Sequence, residues 1–354
     1  MNSIYDVDKN LVFETKIEIS GIRFYDCLET PFSLYGVFYE DGMFRRLPER
    51  VAKSVSDGVH WLHNNTAGGR VRFRTDSPYV AIHTDMPKAC FMEHCALTGS
   101  ACFDLYVRDE KGKERFVNSF KRTVDNQYGY EAVLYPQGSG IREYTINFPT
   151  YSAVNELYIG LDENAVLESP APYAIEKPVV FYGSSITQGG CSSRPGTAYE
   201  SIVSRRFDFD YINLGFSGSA RGEDRMIDYL AGLDMSLFVL DYDHNAPTVE
   251  HLAKTHEKLY RAVRKAHPDI PVIMMARPLF YPDADALARL EVIRATYENA
   301  QKAGEAVFLL DGPALMAMAG DDGLVDGAHP NDLGFASMAK AVGDVMEQIY
   351  RPIP

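Results

Sequence analysis

Val179-Val180-Phe181-Tyr182-Gly183-Ser184-Ser185-Ile186-Thr187 is an apolar run that breaks on a glycine and two serines. Consecutive β-branched and aromatic residues predict a buried strand, and Gly183 predicts that it ends on a sharp turn. A helix N-terminus is expected directly behind that turn, which would favour an anion beside Ser185. A serine hydroxyl is a weak nucleophile at neutral pH unless a neighbouring base takes its proton, and a third group must fix the tautomer of that base. Far downstream, Asp326-Gly327-Ala328-His329-Pro330 sets an acid and an imidazole three residues apart, just ahead of a helical pattern. The two stretches together supply the groups of serine-nucleophile chemistry.

Outward from Ser185, strand candidates at 179–182, 210–214, 237–240, 272–275 and 307–310 alternate with amphipathic stretches at 198–206, 249–267 and 285–303. Such alternation predicts a parallel sheet with helices on both faces, and in these sheets the site lies at the carboxyl ends of the strands. Upstream of about residue 165 the texture differs. Short alternating segments at 70–74, 79–83, 103–107, 115–117, 130–134, 144–148 and 156–161 predict antiparallel strands, with a hairpin through Glu110-Lys111-Gly112-Lys113 and no long helix. Pro170 and Pro172, in residues 168–173, suit an exposed linker. The expected organisation is an N-terminal β-sandwich, jelly-roll-like, over 1–172, and a three-layer α/β/α unit over 173–354.

Composition narrows the partners. Hydrophobic residues are 46% and charged residues 24% of the 354, which is ordinary for a globular protein. With 35 basic against 49 acidic residues the formal charge is −14, which disfavours nucleic acid and anionic membrane as partners. No apolar run reaches transmembrane length, and Met1–Lys9 lacks the basic and apolar regions of a secretion signal. Cys27, Cys90, Cys95, Cys102 and Cys191 are odd in number and lack the paired spacing of a zinc site. Free thiols in a cytoplasmic setting are the expectation, and a homo-oligomer is compatible with the sequence.

Four motifs follow predicted strands and so converge on one sheet edge. They are Gly183–Thr187; Asn213-Leu214-Gly215-Phe216-Ser217-Gly218; Asp241-Tyr242-Asp243-His244-Asn245; and Asp326–His329. Gly218 offers a bare N–H, and Asn245 an amide, to a developing oxyanion. In this order and spacing the chain resembles the SGNH or GDSL-type hydrolases over roughly residues 175–350. The resemblance implies that Ser185 is the nucleophile and Asp326 and His329 its acid and base. Ser185, Gly218 and Asn245 would form the oxyanion hole. Cys102-Phe103-Asp104-Leu105-Tyr106 is similar to the GxDLY signature of a β domain that precedes some of these enzymes, with cysteine in place of glycine. Ser184 stands where the family has the aspartate of GDS, and Asp243-His244-Asn245-Ala246 departs from the usual third block.

Other residues carry competing readings. Asp241, Asp243 and His244 suggest hard-metal ligands, but no further cluster completes a shell, so the expectation is no metal and hydrogen bonds that brace the Asn245 loop. Arg194 is either a substrate contact or a solvated loop residue. Arg277, just past the fourth strand, is a candidate pocket residue, and Trp61 is either a sugar platform or core packing. Asp104 and Tyr106 are expected to hold the sandwich together. The family resemblance implies a cofactor-free esterase acting on short acyl esters of a small molecule or oligosaccharide. A lipase or thioesterase, a non-catalytic carbohydrate-binding protein and a metal-dependent phosphohydrolase are the competing classes.

Overall fold

A computed structural model describes residues 15–350 apart from Cys90 and Val124; Met1–Lys9 and Cys90 thus lie outside the described residues. Residues 175–310 build a five-stranded parallel sheet in the order Phe209–Gly215, Ile175–Gly183, Leu237–Asp241, Val272–Met275, Val307–Leu310. The first strand in sequence lies between the second and the third, so the chain reverses direction across the sheet there and leaves a crevice at the carboxyl edge.

Strand side chains alternate between two buried layers. Val180, Tyr182, Phe238, Leu240, Val272 and Met274 pack one face against the helices Asp224–Ala231, Val249–Ala266 and Ala284–Lys302. Val179, Phe181, Leu237, Val239, Ile273 and Met275 pack the other against Tyr199–Phe207 and Asp332–Met346. Burial on both faces explains why the strands at 179–182, 237–240, 272–275 and 307–310 read as continuous apolar runs. The helix over 224–231, which was not foreseen, has an apolar side set by Met226, Ile227 and Leu230.

The first half forms two larger antiparallel sheets around one shared core, with a two-stranded ribbon of Phe38–Glu40 and Met43–Arg45 beside them. One orders Ile22–Asp26, Glu156–Asp162, Val80–Asp85 and Tyr130–Leu134; the other runs Leu167–Glu168, Arg70–Thr75, Arg142–Asn147, Phe103–Arg108, Glu114–Phe120. The predicted hairpin is present, pairing Arg108 with Glu114. Helices here are short, Glu49–Val55, Asp57–Leu62 and Leu97–Ser100. The first two pack Ala52, Val59 and Leu62 into the core of the parallel-sheet unit, a crossing the sequence did not reveal.

Arginines join the halves. Arg46 is 2% exposed and donates to the carbonyls of Leu62 at 2.9 Å, Asn65 at 2.5 Å, Asn213 at 3.2 Å and Gly215 at 2.7 Å, with its guanidinium over the Phe216 ring. Burial pulls its pKa down to about 9, so it stays charged at neutral pH. Arg70 pairs with Asp210 at 2.5 Å, and Arg108 grips Asp208 through two hydrogen bonds, the shorter 2.6 Å. Residues 168–173 are therefore no loose linker: Tyr173 is buried, and its hydroxyl accepts from Arg70 Nε at 3.1 Å.

Replacing Arg46 by alanine leaves its buried carbonyl acceptors without a donor, and each orphaned group costs about 1–3 kcal/mol. Urea unfolding of Arg46→Ala is expected to show a loss of about 3 kcal/mol or more. Arg46→Lys should recover only part, since an ammonium cannot span the same fork of acceptors. A loss within error of zero would show that the guanidinium does not hold the halves together.

Candidate active site

The three downstream loops and the nucleophile turn meet at the carboxyl edge of the parallel sheet. Ser185 Oγ lies 2.8 Å from His329 Nε2, and His329 Nδ1 lies 2.8 Å from Asp326 Oδ2. Asp326 Oδ1 also accepts the backbone N–H groups of Ala328 at 3.1 Å and His329 at 2.8 Å. Partial burial would raise the Asp326 pKa, but the hydrogen bonds from His329 and Ala328 outweigh it and hold the carboxyl at about 2. The acid is therefore ionised throughout the neutral range and fixes Nδ1–H, which directs the Nε2 lone pair at the serine.

The turn is built differently from expectation. Residues 185–191 form consecutive turns and no α-helix begins until Tyr199, so no α-helix dipole directly backs Ser185. Gln188 N donates to Ser184 O at 3.0 Å, and Gly190 N to Ser185 O at 2.8 Å, so local turn bonds fix the serine. Gly183 is required by close approach: an added Cβ would sit 1.9 Å from Thr187 Oγ1 and 2.5 Å from the Asp241 carbonyl. Ser184, in the place of the family aspartate, is fully buried, and its hydroxyl accepts from Ile186 N at 3.2 Å.

Gly218 occupies the left-handed region at φ 66°, and Arg221 donates to its carbonyl at 3.0 Å. Asn245, in a single 3-10 turn, gives one amide hydrogen to Phe216 O at 2.8 Å; the side chain has a second to offer. Asp243 and Asp241 do not share a site. Asp241 Oδ2 accepts from Thr187 Oγ1 at 2.8 Å and Tyr199 at 3.2 Å beneath the nucleophile turn, whereas Asp243 Oδ2 accepts from Arg277 N at 3.3 Å. Arg289 donates to the Asp243 carbonyl at 2.9 Å, so this segment is braced by hydrogen bonds. His244 is held neutral: burial, then the Arg277 cation, depress its pKa to about 3.

The remaining candidates are placed as follows. Arg277 bonds Asp285 Oδ2 at 2.9 Å and borders Asp243. Arg194 turns to the first half, with its guanidinium 3.9 Å from the Phe116 ring centre and hydrogen-bonded to the Tyr106 hydroxyl. Asp104 accepts from Asn147 at 2.6 Å and from Gly196 N at 2.9 Å; it thus ties the sandwich to the 195–197 turn as well as to its own sheet. Trp61 is 79% exposed, not core, on the rim of an open groove with Met43, Glu49, His60 and Asn64.

Two supports carried no sequence signal. Tyr151, from the first half, donates to Ser185 O at 3.2 Å. Gln188 donates to Thr150 O at 3.2 Å and accepts from Ser217 N at 3.0 Å, joining the first half, the nucleophile turn and the Gly218 loop. Each is one polar residue in an unremarkable stretch, and only the folded chain gives it partners.

Burial pushes the Asp241 carboxyl up to about 8, against the opposing Thr187 hydrogen bond and with the Asp243 charge adding to the rise. The folded protein therefore keeps a proton that the unfolded chain releases near about pH 4. The stability this contributes is complete below that pH and is lost as pH climbs towards about 8. Thermal unfolding of Asp241→Asn against wild type should show the variant gaining relative stability through this window. Parallel curves would refute the assignment.

The comparisons agree with the geometry. Residues 176–347 match the GDSL-like Lipase/Acylhydrolase family, and residues 22–167 match the N-terminus of SGNH-hydrolase-type esterases. No curated protein sequence matches the chain. A crystal structure described as a GDSL-like lipase, from Bacteroides ovatus, is 26% identical with a TM-score of 0.82 and covers 94% of this chain and 98% of its own. A salicylyl-acyltransferase from a tetracycline biosynthetic pathway is 19% identical at a TM-score of 0.73, covering 95% and 100%. A family two carbohydrate esterase from Clostridium thermocellum, in complex with cellohexaose, is 15% identical at 0.57, covering 80% and 93%. The sheet order, the placement of Ser185, Asp326 and His329 and the two matches in sequence assign the chain to the SGNH/GDSL-type hydrolases with a GxDLY-type N-terminal region.

Proposed function

We propose that the protein is a serine esterase that removes short acyl groups, acetyl foremost, from carbohydrates. The observation that carries the reading is the unbroken chain Ser185 Oγ, His329, Asp326, with both links at 2.8 Å. Ser185 Oγ attacks the ester carbonyl as His329 Nε2 accepts its proton, and the Asp326 carboxylate stabilises the imidazolium. The N–H groups of Ser185 and Gly218 and the spare Asn245 amide hydrogen stabilise the oxyanion, each such donor being worth about 3 kcal/mol in the barrier. His329 then protonates the leaving alcohol, and water, deprotonated by the same imidazole, releases the acid from the acyl-serine. This sequence needs no cofactor.

The carbohydrate part of the reading draws on the fold shared with esterases, one of them bound to cellohexaose. Trp61, exposed at its groove, is the proposed stacking platform for a sugar ring. Arg194 and Arg277 are assigned to shaping the surrounding loops, given their ion-pair and ring contacts. The free thiols at Cys27, Cys95, Cys102 and Cys191 suit a reducing, cytoplasmic setting. Among the described residues no helix is long and apolar enough to cross a membrane.

Ser185→Ala should abolish turnover of nitrophenyl acetate, by about 10³-fold or more in kcat, while leaving the unfolding curve close to wild type. Retention of full activity would overturn the triad. Across nitrophenyl esters of rising chain length and a panel of acetylated sugars, activity should fall steeply after acetate; a maximum at long chains would instead identify a lipase. Trp61→Ala should raise KM several-fold for acetylated oligosaccharides and leave nitrophenyl acetate unaffected. Equal effects on both substrates would remove Trp61 from sugar binding.

A further inference from the structure

Beside the triad lies a set of soft ligands of which the esterase mechanism uses only His329. His94, Cys191 and His329 each present one ligand atom, and all three atoms fall within 4.8 Å of one another. Cys95 Sγ is 3.7 Å from Cys191 Sγ. Two thiolates about 2.3 Å from a tetrahedral ion stand about 3.8 Å apart, so the sulfur pair already has the spacing of one edge of a zinc tetrahedron. The His94 and His329 rings lie 5.4 Å apart between centroids and are tilted by 42°. The ligand atoms of His94, Cys191 and His329, no more than 4.8 Å apart, need to close by about 1 Å to reach the edge lengths of a zinc tetrahedron, and rotation of the exposed His94 side chain can bring its own ring nitrogen in.

Sequence spacing conceals the cluster. His94 and Cys95 come from the loop ahead of the helix Leu97–Ser100 in the first half, whereas Cys191 follows the nucleophile turn and His329 belongs to the last motif. No other group of histidine, cysteine and acidic side chains among the described residues converges as closely.

We propose that His94, Cys95, Cys191 and His329 form a binding site for a soft divalent cation such as Zn2+, and that its occupation switches the esterase off. Thiolate and imidazole ligands select zinc over magnesium or calcium. The Asp326 carboxylate on His329 Nδ1 at 2.8 Å is the outer partner that orients a metal-bound imidazole and raises its basicity. The same hydrogen bond leaves Nε2 as the ligating atom, which in the metal-free site faces Ser185 Oγ at 2.8 Å. An ion on Nε2 takes the lone pair that must accept the serine proton. The ion takes both sulfurs as thiolates, and the proton of any cysteine still in its thiol form passes to solvent on binding.

The inhibitory consequence rests on the serine-esterase reading, whereas the metal site does not, and the two are tested separately. Purified full-length protein, kept reduced with a phosphine, is titrated with Zn2+ during nitrophenyl acetate hydrolysis and, independently, with Co2+ by absorption spectroscopy. Wild type is expected to lose activity with one equivalent of Zn2+, to recover it with EDTA, and to give the near-ultraviolet thiolate-to-cobalt band. His94→Ala and Cys95→Ser should keep the metal-free activity yet require roughly tenfold more Zn2+ for half-inhibition. Cys95→Ser should also weaken the cobalt band. His94 is exposed, so its replacement does not threaten folding. Equal Zn2+ sensitivity in wild type and both variants, or a wild-type cobalt spectrum without the thiolate band, would overturn the site. Absence of esterase activity together with a clear thiolate band would defeat the functional reading and leave the metal site standing.

Discussion

The buried guanidinium of Arg46 is the interaction on which the arrangement of this molecule depends. It leaves the sandwich half and enters the other unit, where its acceptors include the Asn213 and Gly215 carbonyls on the second parallel strand. That strand leads directly to Phe216, whose ring lies under the same guanidinium, and to Gly218. A cation among neutral carbonyls is tolerated because each donor finds an oxygen; without them its burial would be prohibitive. The consequence is that the candidate oxyanion loop is held from the first half of the chain as well as from its own sheet.

The same division of labour recurs around the nucleophile. Tyr151 clamps the Ser185 carbonyl and Thr150 accepts from Gln188, both from the sandwich side. Beneath the turn, Thr187, Tyr199 and Asp241 form a buried polar knot in which a carboxyl kept protonated at neutral pH replaces a charge that would be costly there. Ser185 stands at the point where the sheet reverses its strand order, and its supports come from elements distant in sequence. Rigid positioning of this kind lets a serine–histidine pair sit at hydrogen-bond distance before substrate arrives.

Much of this was legible in the residues. Continuous apolar runs marked four of the five parallel strands, because a strand buried on both faces needs no alternation, whereas Asp210 and Asn213 interrupt Phe209–Gly215; Val272–Met275 and Val307–Leu310 match their expected bounds. Among the strands missed in the first half, Ser33–Tyr35 and Phe38–Glu40 are three residues each, too short for a period to register, whereas the five-residue Ile22–Asp26 was missed despite its length. The helix expected behind Ser185 failed for a different reason. Apolar patterning cannot distinguish a series of turns from the start of a helix when both follow a glycine. Core packing, one of the two readings open for Trp61, does not hold, because its short helix buries Val59 and Leu62 and leaves the indole outside.

The sequence by itself determined the parallel α/β unit, the antiparallel first half and the likeness of Ser185, Gly218, Asn245, Asp326 and His329 to a hydrolase site, since periodicity and motif order are properties of the chain. Only the tertiary structure decided how the halves meet, what holds the serine turn in place of a helix, and that Cys95 and Cys191, 96 residues apart, lie within 3.7 Å. The physical reason is that strands and turns are specified by neighbours in sequence, whereas buried arginines, cross-sheet hydrogen bonds and clustered ligands depend on distances that only packing fixes.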